Sequence, residues 1–193
     1  VRLAGRLAGI GYAVPGTVLA IGILVPLAAF DNALDGAARD WFGVSTGLLL
    51  TGSGAALVYA YTTRFFAVSH GAIEAGLGRI SPHLDMAARS LGRSPLGTLR
   101  AVHVPLMRPA LATAALLVFV DSMKELPATL LLRPFNFETL ATDVYAHASM
   151  EMVDQGALGA LTIVAVGIVP VVLLARTARM TRQAAVGGIV PTT

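Results

Sequence analysis

Three ionisable residues, Asp121, Lys124 and Glu125, interrupt an apolar run that extends from Pro109 to Leu132. A charged group at the centre of a bilayer costs at least about 2.5–3.5 kcal/mol on insertion scales, so such residues face a partner or a watery path rather than lipid. Spacings of three and four place all three on one helical face, where Lys124 can neutralise one acid. Pro127 removes a backbone donor and is expected to break the helix just past this charged turn. A broken helix beside charges suits a gate or pathway lining, and that role is the expectation for Asp121, Lys124, Glu125 and Pro127. The same residues would also serve as a buried pair fixing helix register, or as the interfacial end of a shorter span.

Other chemistry is sparse. The chain has no cysteine, hence no disulfide and no thiolate metal site. His70, His83, His103 and His147 share no metal-ligand spacing with carboxylates on one short element, so no metal site is expected. Tyr145, His147, Met150, Glu151 and Met152 cluster in sequence, and read as an outer amphipathic helix packed on the bundle. No GxxxxGK[ST] phosphate loop or HExxH pair occurs. Neither catalysis nor a cofactor is expected of this chain.

The elements that must position the charged turn are membrane helices. Of 193 residues, 55% are hydrophobic and 13% charged, about half the charged fraction of a soluble domain. Mean hydropathy is +0.74. Apolar runs at 7–30, 41–63, 109–132 and 155–175 predict an all-α polytopic bundle of about four spans. Pro15 and Pro26 lie inside the first run, and Asp31 to Asp40 reads as a polar loop after it. Arginines precede this first run as in a signal peptide, but at 24 residues it is too long for one. Trp41 and Phe42 fit an interfacial aromatic belt. Gly43, Gly47, Thr51 and Ala55 form a small-residue stripe for close helix packing. Net charge is +3 and the pI near 9.8, yet the arginines flank spans rather than forming a dense patch, which argues against nucleic acid and for a lipid bilayer. With both ends and the central interval on one side, that side holds eleven of the fourteen basic residues: Arg2, Arg6, Arg64, Arg79, Arg89, Arg93, Arg100, Arg108, Arg176, Arg179 and Arg182. The positive-inside rule makes that side cytoplasmic. Because the chain begins at Val1 rather than Met, a fragment of a longer protein is expected.

The cytoplasmic interval carries two helix starts, Ser81-Pro82 and Ser94-Pro95, with Gly92 able to end the first helix and Pro105 expected to limit the second. Such a pair between spans is a docking element. Within Asp85 to Leu111, Ala87-Ala88, three residues, Gly92, nine residues and Val102-His103-Val104-Pro105 have the spacing of a known motif. This run resembles the EAA loop of membrane subunits of binding-protein-dependent ABC importers. The family pattern has Glu-Ala-Ala; here Met86 stands at the glutamate position, with Asp85 one residue earlier. Without the resemblance, an amphipathic helix on the inner leaflet would be an equal reading.

Val120 to Ala141, above all Lys124-Glu125-Leu126-Pro127-Ala128-Thr129 and Pro134-Phe135-Asn136-Phe137, resembles the matching region of ferric-iron permeases. The resemblance extends from about Tyr12 to Arg182. It implies that residues 1–193 are one ABC type-1 transmembrane domain, its C-terminal part, with a coupling loop at 81–105. It implies that Asp85, Ala87, Ala88, Arg89, Gly92 and Pro105 meet a separate ATP-binding cassette subunit that hydrolyses ATP, with Arg93 and Arg100 able to pair with its acids. A periplasmic substrate-binding protein and a second permease half are the other implied partners. The implied location is the bacterial inner membrane, with both termini cytoplasmic, and the implied cargo is ferric iron. Molybdate, sulfate, thiamine or a polyamine are alternative cargoes. A secondary transporter or channel, needing no ATPase, is the alternative of another class; a membrane enzyme would show paired catalytic residues at span ends.

Overall fold

A computed structural model describes residues 9 and 11–187, with side chains through residue 173 and at 175. Among the described residues there are helices and no strand. Arg2, Arg6 and the side chains of Arg176, Arg179 and Arg182, used above for orientation, lie outside the described portion.

The first long helix, α1, runs from Gly16 to Phe42. It starts later than the predicted span, at Pro15, and continues through Asp31–Asp40, which the sequence suggested was a loop. No helix breaker intervenes: the only internal proline is Pro26, and the helix stops where Gly43 adopts φ 67 and returns its N–H to the Arg39 carbonyl. The predicted span at 41–63 is therefore not one helix. Residues 43–53 form an irregular loop with Gly43, Gly47 and Gly52 all at positive φ, so the small-residue stripe has no helix to lie on.

Two acids from α1 hold this loop. Asp31, fully buried, accepts hydrogen bonds from the Leu50 and Thr51 amides at 2.7–3.1 Å. Asp35 Oδ1 accepts from the Thr46 and Gly47 amides and the Ser45 hydroxyl, and Asp35 also pairs with Arg39. Irregular backbone makes no ladder of its own, so its amides need such partners wherever water does not reach them.

Helix α2, Gly54–Leu77, is capped by the Ser53 hydroxyl. Helix α3 is Pro82–Ser90 and α4 is Pro95–Thr98; both begin as the sequence indicates, with Ser81 and Ser94 as caps and proline in the first turn. A π turn at Leu99–His103 then leads into α5, Val104–Met123. Pro105 does not end the second helix. The wide turn lets the Val104 amide bond to the Leu99 carbonyl, and Pro105 follows where its missing N–H breaks no α ladder already in place. Pro95–Met123 is in consequence one 29-residue rod. Helix α6, Pro127–Leu132, follows a short break, α7 is Leu140–Ser149, and α8 is Val153–Gly187.

Among the described residues, three helical stretches are long and apolar enough to cross a membrane: Gly16–Phe42, Pro95–Met123 and Val153–Leu173. Helix α2 is not among them, since Arg64, Ser69, His70 and Glu74 dilute its apolar character. It packs instead along α5, antiparallel to it: Gly76 lies by Ala110, Arg64 by Glu125, and Tyr61 by Thr129. The core cluster lies where α1, α2 and α6 meet, and alanines at 20, 56, 60 and 128 let these helices approach closely. Helix α7 packs on α8, where Gly156 and Gly159 make room: a Cβ on Gly159 would lie 2.9 Å from the Val144 side chain.

Candidate functional site

Two places gather the residues singled out above. The first is the loop at 81–105. Helix α3 ends in the turn that Gly92 makes possible at φ 75, with the Arg93 amide returning to the Ala88 carbonyl and the Leu91 amide to that of Ala87. Asp85 Oδ1 lies 2.6 Å from His103 Nε2, which joins α3 to the π turn. The acid near the missing family glutamate is thus engaged within the loop itself. Ala88 is buried against the loop, whereas Ala87, Arg89 and Pro105 face outward. Met86, Leu91 and Leu96 are also exposed, Leu91 to 83%. Among the described residues, Arg89, Arg93 and Arg100 have no acidic partner. The loop offers an apolar face fringed by free guanidinium groups, which suits a groove lined by acids on another protein.

The second place is the break between α5 and α6. Helix α5 stops at Met123, with Lys124 as its cap, and Pro127 opens α6 in its first turn. The break falls where the sequence placed it, but the charges do not share one face. Lys124 Nζ pairs with Asp121 Oδ1 at 2.9 Å, and Lys124 remains largely exposed. Glu125 turns the other way, into the core, 6% exposed, because the chain has already left the helix and the i, i+4 relation no longer holds.

Glu125 finds its partner on α2. Arg64 Nε lies 2.9 Å from Glu125 Oε2, while Arg64 Nη1 donates to the Val14 carbonyl at 3.1 Å. The Nε contact is held by charge and not by a well-aligned hydrogen bond. Glu125 Oε1 accepts from the Ala128 amide across the break, and the Thr129 hydroxyl donates to the Glu125 carbonyl. Gly16 completes the enclosure: a Cβ there would lie 2.8 Å from Glu125 Oε1 and 3.2 Å from Arg64 Nη1. Sequence reasoning missed Arg64, counting it among the arginines of the cytoplasmic side. The signal was available, since Phe65-Phe66-Ala67-Val68 continues the apolar run beyond it.

Beyond the break, α6 and the chain after it line an open cavity of about 790 Å³ with Leu24, Thr51 and Leu132. Arg133 pairs there with Glu138, and Phe135 is almost fully exposed. Arg133 and the Thr142 hydroxyl hold the Glu138 carboxyl below the ordinary range. His147, from the clustered residues on α7, lies 2.9 Å from the Asp143 carbonyl, and among the described residues no three His, Cys, Asp or Glu converge on a metal-sized site.

Comparison with known proteins bears on what these places are for. No protein-family model matches the chain. Over 169 residues, 88% of its length, the chain is 30% identical to the Fe(3+)-transport system permease protein FbpB 2 of Haemophilus influenzae. The chain is a relative of ABC transport-system permeases, ferric-iron permeases among them. A second relative is the putative 2-aminoethylphosphonate transport system permease protein PhnV of Salmonella typhimurium, 32% identical over 111 residues, 58% of this chain and 42% of that one. A third is the ferric transport system permease protein FbpB of Actinobacillus pleuropneumoniae, 29% identical over 148 residues, 77% of this chain and 18% of that one. The chain spans 30% of the length of the Haemophilus relative. The resemblance to importer permeases read in the sequence therefore holds, as does the all-α membrane architecture. Its relatives are transport permeases, not enzymes.

Proposed function

We propose that this chain forms part of the membrane permease of an ATP-driven importer, and that its cargo is ferric iron delivered by a periplasmic binding protein. The observation that carries the reading is the likeness to a ferric-iron permease along 88% of the chain, which takes in both the 81–105 loop and the 124–127 break. ATP hydrolysis belongs to a separate subunit docked on α3 and α4, with the exposed Ala87, Leu91 and Arg89 at the contact and Gly92 setting the angle between the helices. Ala88, Asp85 and Pro105 shape the loop from within or behind. In this reading the loop is cytoplasmic, the protein is a multi-pass component of the bacterial inner membrane, and residues 1–193 are one portion of a type-1 transmembrane domain. A second permease half encloses the path. Nucleotide binding and release favour two arrangements of the permease in turn, which is alternating access. The Asp121–Lys124 pair and the Pro127 break form its gate, since a helix interrupted beside charges can move without exposing unsatisfied backbone to lipid.

A 2-aminoethylphosphonate cargo is the second reading, supported by the Salmonella relative over 111 residues. Iron is preferred because likeness to the iron permease extends over 169. The test is uptake by the full-length permease, assembled with its ATPase and binding protein, of radioactive ferric iron against labelled 2-aminoethylphosphonate. ATP-dependent iron uptake is expected, and phosphonate uptake alone would replace the cargo. Gly92→Val should abolish co-purification of the ATPase, because a β-branched residue resists positive φ. Normal capture and coupled hydrolysis by Gly92→Val would count against docking at this loop.

A further inference from the structure

The 81–105 loop hangs between two arms. Helix α2 enters it at Leu77, and the rod Pro95–Met123 leaves it. The arms are fastened at two places. Close to the loop, Gly76 sits so near α5 that a Cβ on it would lie 2.5 Å from that of Ala110. About 18 Å further along α2, at 1.5 Å per residue, Arg64 meets Glu125 and the Tyr61 hydroxyl hydrogen-bonds Thr129. Along the same two helices runs an open groove of about 410 Å³ bordered by Phe66, Ala114 and Ala115, while Phe65 itself is buried. In a membrane, helices are held together by close packing and by polar links, so the Arg64–Glu125 and Tyr61–Thr129 links add to the packing at Gly76.

We propose that Arg64 is a positioning residue that locks the two arms into one lever. A displacement of the loop at Gly92 then reaches the break at Lys124–Leu126 instead of being absorbed by α2 splaying away from α5. This rests on the importer reading of the loop. Three features support it. Both charges are sheltered, Arg64 18% and Glu125 6% exposed at their side chains, so the link is little weakened by solvent. Arg64 uses a second nitrogen on the Val14 carbonyl, and so fastens the lever to the start of α1. Glu125 reaches across the break to the Ala128 amide, so the charge that holds α2 also holds the first turn of α6. A lysine could make the ion pair but not the two-direction fork.

The experiment uses the full-length permease with its ATPase and binding protein in proteoliposomes. Removing one partner of a buried pair strands the other charge, whereas replacing both does not. The double variant Arg64→Gln/Glu125→Gln should therefore assemble near the normal level and hydrolyse ATP, while uptake per ATP falls by about tenfold, in the range that residues coupling distant sites command. Spin labels at the exposed Tyr59 of α2 and Phe119 of α5 should report one inter-arm distance with and without ATP, and a longer, broader one in the double variant. A double variant with normal uptake per ATP would overturn the lever. So would arms that separate when ATP binds to the permease retaining both charges, a measurement that needs no altered Arg64. A permease retaining both charges that neither captures the ATPase nor imports with ATP would instead sink the importer reading beneath it.

Discussion

Asp31 and Glu125 are both buried carboxylates, and each is satisfied differently. Glu125 has an arginine within 2.9 Å, whereas Asp31 takes backbone amides from a loop nineteen and twenty residues away. Burying a charge is tolerable only with such partners. For Asp31 the hydrogen bonds run to the charged form, and amide protons left without an acceptor cost about 1–3 kcal/mol. Asp31→Ala should therefore destabilise the solubilised permease by that amount, and Asp31→Asn, which keeps one carbonyl acceptor, by less. Thermal unfolding followed through fluorescence of Trp41, the only tryptophan in the chain, checks this. Equal stability of both variants and the parent would show that the 43–53 loop does not depend on Asp31.

At the scale of elements, what is local in sequence was legible, and what depends on distant partners was not. Ser81-Pro82, Gly92 and Ser94-Pro95 announced the two loop helices because capping needs only neighbours in the chain. Pro127 marked the break for the same reason. Asp31 to Asp40 looked like a loop because acids in a membrane protein suggest an edge. Their partners at Ser45–Thr51 follow only after Gly43 has turned the chain back. Arg64 was hidden in the same way, its acid lying sixty-one positions later. Pro105 misled because a proline stops an α-helix but not a π turn.

The segment after α6 yields a pH test at this scale. Glu138 is held below its ordinary value of 4.5, first by the Arg133 hydrogen bond and then by Thr142. A depressed carboxyl contributes stability that is present above its ordinary value and is lost as pH falls through the lowered one. Protection of the 133–139 amides, taken relative to the intrinsic exchange rate at each pH, should thus stay constant down to about pH 4.5 and fall below it. Glu138→Gln should show low protection at every pH, and protection in the parent that does not change with acid would dissociate the loop from this pair.

The molecule as a whole presents much of its apolar surface outward: Val18, Val25, Val58, Leu158, Leu161 and Val169 are all more than half exposed. Exposure of this extent belongs to a protein whose neighbours are lipid and other helices. Among the described residues three stretches are long and apolar enough to span, and in the proposed importer a second permease half completes the path. The orientation can be tested directly. A single cysteine at exposed Ser90, in a full-length permease free of other cysteines, should resist a membrane-impermeant maleimide in intact cells stripped of their outer membrane, and react in inverted vesicles. The reverse pattern would place the loop outside and remove any contact with an ATPase.

The π turn at Leu99–His103 gives this architecture an adjustable joint. One residue on an α-helix corresponds to a rotation of about 100° and a rise of about 1.5 Å. A π turn holds one residue more than an α turn over the same axial height. Losing the extra residue at 99–103 would thus let the turn close as an ordinary α turn, leaving both the bearing of α3 and α4 on α5 and the depth of the 124–127 break almost unchanged. The turn is therefore a place where the chain can absorb a change of one residue in length without re-aiming the helices on either side.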